Sequence, residues 1–156
     1  MTDQPSDLTQ VEPEAAFADL EVDAPRVGII MGSKSDMEVM EKAGAVLQEA
    51  GVSFEIRVMS AHRDPETVSD YCTNARMRGL RVIIAGAGLS AALPGVAAAH
   101  SDLPVIGVPL SSSLSAAGGL DSILSVVQMP PGVPVASVGL DNAKNAGHLA
   151  LRILRA

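Results

Sequence analysis

Five short apolar runs alternate with five helical stretches between residues 26 and 155, and this alternation constrains the fold more than any other feature. The runs are Arg26–Met31, Ser53–Met59, Arg81–Gly88, Pro104–Leu110 and Val133–Leu140. They are rich in Val and Ile and read as near-continuous apolar segments, as strands buried on both faces do. The stretches between and after them are Ser35–Gly51, Asp64–Gly79, Ala91–His100, Gly119–Met129 and Asn142–Arg155. In the first, Met40, Ala43, Leu47 and Ala50 recur at spacings of three and four, and Gly51 ends the pattern. The second opens with Asp64 as N-cap and Pro65 at the first helical position, and Gly79 closes it. Crossovers of this length make neighbouring strands parallel, and a parallel sheet carries helices on both faces.

The predicted fold class is therefore α/β: a single doubly wound three-layer sandwich, flavodoxin-like, around a five-stranded, mostly parallel sheet. Residues 26–156 are expected to form the one domain. Residues 1–25 read instead as a flexible acidic leader, punctuated by Pro5, Pro13 and Pro25, with room for a short helix around Glu14–Leu20. Of the 18 acids, seven lie in that leader, leaving 11 acids against 11 bases in the remainder. A neutral domain has no basic footprint for nucleic acid, and aromatics at 2% provide no stacking platform for single strands. Cys72 is the only cysteine, so no disulfide forms within the chain. The N-terminus lacks a basic segment followed by an apolar one, so no secretory signal is seen and a cytoplasmic location is expected. Val82–Ala99 runs eighteen residues without a charge, near the length of a membrane span. Its Gly86, Gly88, Pro94 and Gly95 point instead to a buried strand, a turn and a packed helix, so no membrane partner is expected.

In doubly wound sheets, ligands sit beyond the carboxyl ends of the strands. The loop after the first run reads "MGSKSD". Ser35 and Glu38 fit a capping box, which places a helix mouth with free N–H groups in that loop. Gly32 permits a tight turn and Ser33 adds a hydroxyl, so the turn suits a phosphate, although a well-capped turn without a ligand is the plainer reading of these residues alone. It is neither a Walker loop nor G-x-G-x-x-G. The loop after the second run, "SAHRDP", places His62 and Arg63 at the same end. Histidine can give and take a proton near neutral pH, and arginine presents a planar fork to phosphate or carboxylate. The alternative is a surface histidine beside an arginine paired with an acid. The third loop, "GAGLSAALPG", has no ionisable group and offers close backbone approach and N–H donors, or simply tight packing. "SSSLSAAGG" reads as a mobile lid or an ordinary loop. His100 and His148 read as helix-end and surface residues, and Cys72 as core. No cluster has metal-ligand spacing, and no G-x-S-x-G elbow activates Ser33 or Ser35.

Taken together, "GIIMGSKSD", "SAHRDP", "VIIAGAG", "LPGVAAA", "PVIGVP", "GLDSILSVVQMPPGVPVASV" and "NAGHLALRIL" resemble the N5-carboxyaminoimidazole ribonucleotide mutase family of purine biosynthesis. The resemblance spans about residues 26–155. It implies an isomerase that moves the carboxylate of a ribonucleotide substrate from the exocyclic nitrogen to ring carbon 4, without ATP, metal or organic cofactor. It implies His62 as the catalytic proton carrier. It also implies substrate contacts from Ser33, Asp36 and Arg63, with Ser35, Ser60, Gly86, Ala87 and Gly88 in the surrounding loops, and a homo-octamer. Where many members read "GAGGAAHLPG", this chain has Leu89, Ser90 and Ala92 in place of Gly, Ala and His. Direct carboxylation of aminoimidazole ribonucleotide by carbon dioxide is the main alternative. A non-catalytic nucleotide-binding module, which would need the phosphate grip but not His62, is the next.

Overall fold

A computed structural model describes residues 24–156. Most of the acidic leader, including Glu14–Leu20, lies outside the described residues. The strands are β1 (Val27–Met31), β2 (Phe54–Val58), β3 (Val82–Gly88), β4 (Val105–Leu110) and β5 (Ala136–Ser137). The helices are α1 (Met37–Glu49), α2 (Pro65–Asn74), α3 (Leu93–His100), α4 (Leu120–Val127) and α5 (Ala143–Arg155). The sheet order is β2-β1-β3-β4-β5 and every pairing is parallel. This is the doubly wound arrangement expected, with its switch point between β1 and β3.

Burial explains the order. β1 and β4 are buried along their whole length, and β3 along all but its last residue. The sheet divides the apolar side chains into two cores. On one face Ile29, Met31, Ile84 and Ile106 pack with Met40, Leu47 and Leu151 from α1 and α5. On the other Ile30, Ile83, Val105 and Ala85 pack with Val68, Tyr71 and Cys72 of α2 and Val126 of α4. Alternate residues of one strand serve opposite cores, the period-two geometry of a pleated strand. Gly147 lets α5 approach α1 closely, since a Cβ there would lie 2.8 Å from the Ala43 carbonyl oxygen.

Three local expectations change. The fifth strand is two residues long and exposed, rather than spanning Val133–Leu140. It is a sheet edge, and Pro134 has no N–H to donate to a ladder. β2, the other edge, is only partly buried. The capping box at Ser35 and Glu38 is not formed. A 3-10 turn over Lys34–Asp36 precedes α1, and its cap is Ser33, whose hydroxyl accepts from the Ser35 N–H. Asp36 occupies the N-cap position of α1 without a side-chain cap bond. At α2, by contrast, Asp64 does cap, accepting from the Thr67 N–H at 3.3 Å, with Pro65 in the first turn. The uncharged stretch Val82–Ala99 resolves into β3, a turn and most of α3, and among the described residues no helix is long and apolar enough to cross a membrane.

Candidate active site

A cavity of about 570 Å³ opens at the carboxyl ends of β1, β2, β3 and β4, within the range of small-molecule sites. It lies at the switch point, where helices on opposite faces diverge and leave a crevice. Of the residues singled out from sequence, Ser33, Ser35, Asp36, Ser60, His62, Arg63, Ala87 and Gly88 all line it. Gly86 does not. It is turned into the sheet, where a Cβ would overlap Met40 Sδ and lie 3.2 Å from Leu110 Cδ1. Its neighbour Ala87 points the other way, as strand alternation requires.

The β1 turn is built around the Ser33 hydroxyl. Its oxygen accepts from the Ser35 N–H at 3.3 Å and from the Ser35 hydroxyl at 2.9 Å. A hydroxyl has two acceptor lone pairs and one proton. Both contacts from Ser35 hold the Ser33 hydroxyl in the turn, where it lines the cavity. The Asp36 N–H donates to the Ser33 carbonyl at 3.1 Å and closes the turn. Burial raises the Asp36 carboxyl above the ordinary aspartate range, against a smaller lowering from its backbone bond with Ser33.

The β2 turn is held by Ser60. Its hydroxyl accepts from the Arg63 N–H at 3.2 Å, and its carbonyl accepts from the Asp64 N–H at 2.9 Å. This tight turn leaves the side chains of His62 and Arg63 exposed. Among the described residues Arg63 joins no ion pair. Among the described residues, then, nothing supports the surface-pair alternative for Arg63, and its guanidinium can take an anion. By contrast Glu55, Tyr71 and Arg78, away from this cavity, satisfy one another. Glu55 accepts from Tyr71 Oη at 2.8 Å and from Arg78 at 2.7 Å.

The loop after β4 contributes Ser111, Ser112 and Leu114 to the lining. Sequence reasoning misses these three, because a Ser-rich loop carries no chemistry of its own. Ser111 is held by Asp141, 30 residues away, whose carboxylate accepts from the Ser111 N–H at 2.8 Å and from the Ser111 hydroxyl. His100 and His148 are exposed and outside the cavity, and Cys72 is buried. No group of His, Cys, Asp or Glu among the described residues is placed to hold a metal ion.

The lining thus carries hydroxyls, a carboxyl, an imidazole and a guanidinium that joins no ion pair among the described residues, together with apolar Leu93, Leu110 and Ala92. Such a site can grip a sugar phosphate while a ring lies against aliphatic carbon, with a proton carrier at hand.

The chain is similar to known proteins. The family model described as AIR carboxylase matches residues 26–156. An N5-carboxyaminoimidazole ribonucleotide mutase of Pyrococcus abyssi is 58% identical over 135 residues, covering 86% of this chain and 76% of the relative. The protein of that name from Mycobacterium tuberculosis is 58% identical over 132 residues, covering 85% and 75%. Among solved structures, the crystal structure of Treponema denticola PurE superposes with a TM-score of 0.73 at 35% identity, covering 84% of this chain and 80% of the other. With a match that runs from the start of β1 to the last residue of the chain, just past α5, the chain belongs to the AIR carboxylase family.

Proposed function

We propose that this protein is an N5-carboxyaminoimidazole ribonucleotide mutase, an isomerase of de novo purine biosynthesis. It converts its substrate into 4-carboxy-5-aminoimidazole ribonucleotide. The observation that carries this reading is the convergence of His62, Arg63, Ser33 and Asp36 on one cavity. The names borne by the relatives at 57–59% identity support it.

The roles follow from the chemistry of each group. The Arg63 guanidinium, which joins no ion pair among the described residues, and the Ser33 hydroxyl bind the 5′-phosphate, as charge-assisted and neutral partners respectively. The Asp36 carboxylate accepts from ribose hydroxyls. Ser35 and Ser60 keep their turns in shape, and the backbone at Ala87 and Gly88 approaches the ligand closely. Protonated His62 delivers its proton to the exocyclic nitrogen. The bond from that nitrogen to the carboxylate carbon breaks, its electron pair stays on nitrogen, and carbon dioxide is released within the cavity. Ring carbon 4, made nucleophilic by the amino group, attacks carbon dioxide and forms the new carbon–carbon bond. The neutral imidazole of His62 then takes the proton from carbon 4. One proton is given and one returned, so no cofactor is consumed.

The family description, AIR carboxylase, names the second reading, in which free aminoimidazole ribonucleotide captures dissolved carbon dioxide. One assay separates the two. Purified protein is given either the N-carboxylated ribonucleotide, or the uncarboxylated one with bicarbonate, and product absorbance is followed. The mutase reading requires fast conversion of the first, and conversion of the second alone overturns it.

Residues 26–156 are the catalytic domain in this reading, with the acidic leader outside it. A cytoplasmic homo-octamer fits the family and the surface of α4. There Leu120, Leu124 and Val127 form a stripe at helical spacing, each about half exposed (47–50%), close to the short edge strand β5. Subunit contact would cover that stripe.

A further inference from the structure

The loop after β3 holds a residue that its backbone conformation disfavours. Leu89 has φ +56°, in the left-handed region. Glycine enters that region freely, whereas a bulky L side chain there is an outlier. The surroundings enforce it. The Ala91 N–H donates to the Leu89 carbonyl at 2.8 Å, and the Ala92 N–H to the Ser90 carbonyl at 2.6 Å. On the preceding side the backbone is pressed against β4, since a Cβ on Gly88 would lie 3.1 Å from the Leu110 carbonyl oxygen.

A leucine kept in such a conformation would ordinarily fill a core. Leu89 does not, being 41% exposed. It lines the same cavity as Leu93, Leu110, His62 and Arg63. Neither conformational preference nor core packing accounts for a leucine here, and the cavity is what it touches. Strain held in place by its surroundings at a site is a pointer to function.

We propose that Leu89 is a specificity-determining residue that walls in carbon dioxide between its release and its capture. This role rests on the mutase reading. The charged parts of the substrate belong with Arg63, Ser33 and Asp36. The species left for the aliphatic wall is the one uncharged, apolar intermediate of the sequence, which needs no hydrogen bond and must meet carbon 4 before it escapes. A tight apolar wall keeps that molecule in and water out. A glycine at this position would relax the backbone but leave a gap in the wall. Leu89 therefore decides whether the carboxylate on the product is the one that arrived on the substrate.

The test follows the carboxylate carbon. Substrate labelled with 13C in its carboxylate is converted in unlabelled bicarbonate with carbonic anhydrase, so that escaped gas is diluted at once. Product mass then gives the fraction of label retained. Wild-type protein is expected to retain most of it. Leu89→Gly is expected to raise the ratio of lost to retained label roughly tenfold, the scale at which missing aliphatic bulk in an apolar pocket is felt. The same variant is expected to melt at a higher temperature than wild type, because glycine relieves the left-handed backbone. Leu89→Ala, which keeps the positive φ and loses the wall, should leak label without gaining stability. Equal label retention in wild type and Leu89→Gly overturns the role of Leu89 alone. Absence of product from the N-carboxylated substrate with wild-type protein overturns the mutase reading itself, and this role with it.

Discussion

Gly107, in the middle of β4, gives a test of how the sheet is packed beneath the active site. A Cβ added there would overlap Val126 Cγ1 of α4 and would lie 2.9 Å from Val135 Cγ1 and 3.3 Å from Pro94 Cβ. Comfortable carbon contacts lie at about 3.5–4.0 Å, so neighbours on three sides must retreat. Two are β-branched with stiff χ1 and the third is a proline ring, so none can yield by rotating. Overpacking of this kind costs about 1–3 kcal/mol, and Gly107→Ala belongs at about 3 kcal/mol, the top of that range. The loss of unfolded-state freedom on adding the methyl returns roughly 0.5–1 kcal/mol. The net expectation is about 2 kcal/mol, which at an m-value of about 2 kcal/mol/M lowers the urea midpoint by roughly 1 M. Gly86→Ala is the comparison. Its Cβ would also overlap a neighbour, Met40 Sδ. Methionine has three rotatable bonds and adapts, so the net loss there is about 1 kcal/mol or less. Both variants are unfolded in urea at one protein concentration, with far-UV circular dichroism as the signal. A Gly107→Ala midpoint at or above that of Gly86→Ala would refute the premise that neighbour stiffness sets the cost.

Three further outcomes are expected. Burial alone would raise the Glu55 carboxyl, but bonds from Arg78, Tyr71 and Arg57 outweigh it and hold it below the ordinary value of 4.5. Its contribution to stability is therefore complete above that value and is lost as pH falls through the lower folded-state value. Glu55→Gln should flatten the acid limb of stability against pH, and an unchanged limb would contradict the network. Burial raises the Asp36 carboxyl, so its charged form is lost at a higher pH than the ordinary 3.8. Binding of the product nucleotide should accordingly weaken on acidification from above that value, and Asp36→Asn should bind more weakly at pH 7 but without that acid limb. Burial pushes the Cys72 thiol up to about 11. Iodoacetamide at pH 8 should label it slowly in the folded protein and rapidly in urea, since the thiolate is the reactive form.

What the sequence made legible was whatever depends on local pattern. The five-fold alternation announces the parallel sheet, and Asp64-Pro65 places the start of α2 correctly because both signals act within one turn. The loops that line the cavity could be named because the carboxyl ends of strands follow from strand order. What escaped depends on geometry that local pattern does not carry. Ser35 and Glu38 have the spacing of a capping box, yet the 3-10 turn hands the cap to Ser33. Gly86 and Ala87 are adjacent, and which of them faces the cavity is decided by the phase of β3 as it leaves the sheet. Ser111 is held at the site by Asp141, which the pairing of β4 with β5 brings near. The left-handed backbone of Leu89 is invisible in a residue type that almost never adopts it.

The measurement that tests the central claim most directly is a comparison of wild type with His62→Asn on the N-carboxylated ribonucleotide. Turnover is followed by product absorbance, and product affinity by calorimetry. His62 lines the cavity without holding the phosphate grip together. The expected result is a fall in kcat of about 10²–10⁴-fold, the usual contribution of a positioned proton carrier, with affinity within a few-fold of wild type. Retained turnover in a folded His62→Asn protein would contradict the proton relay and the assignment built on it.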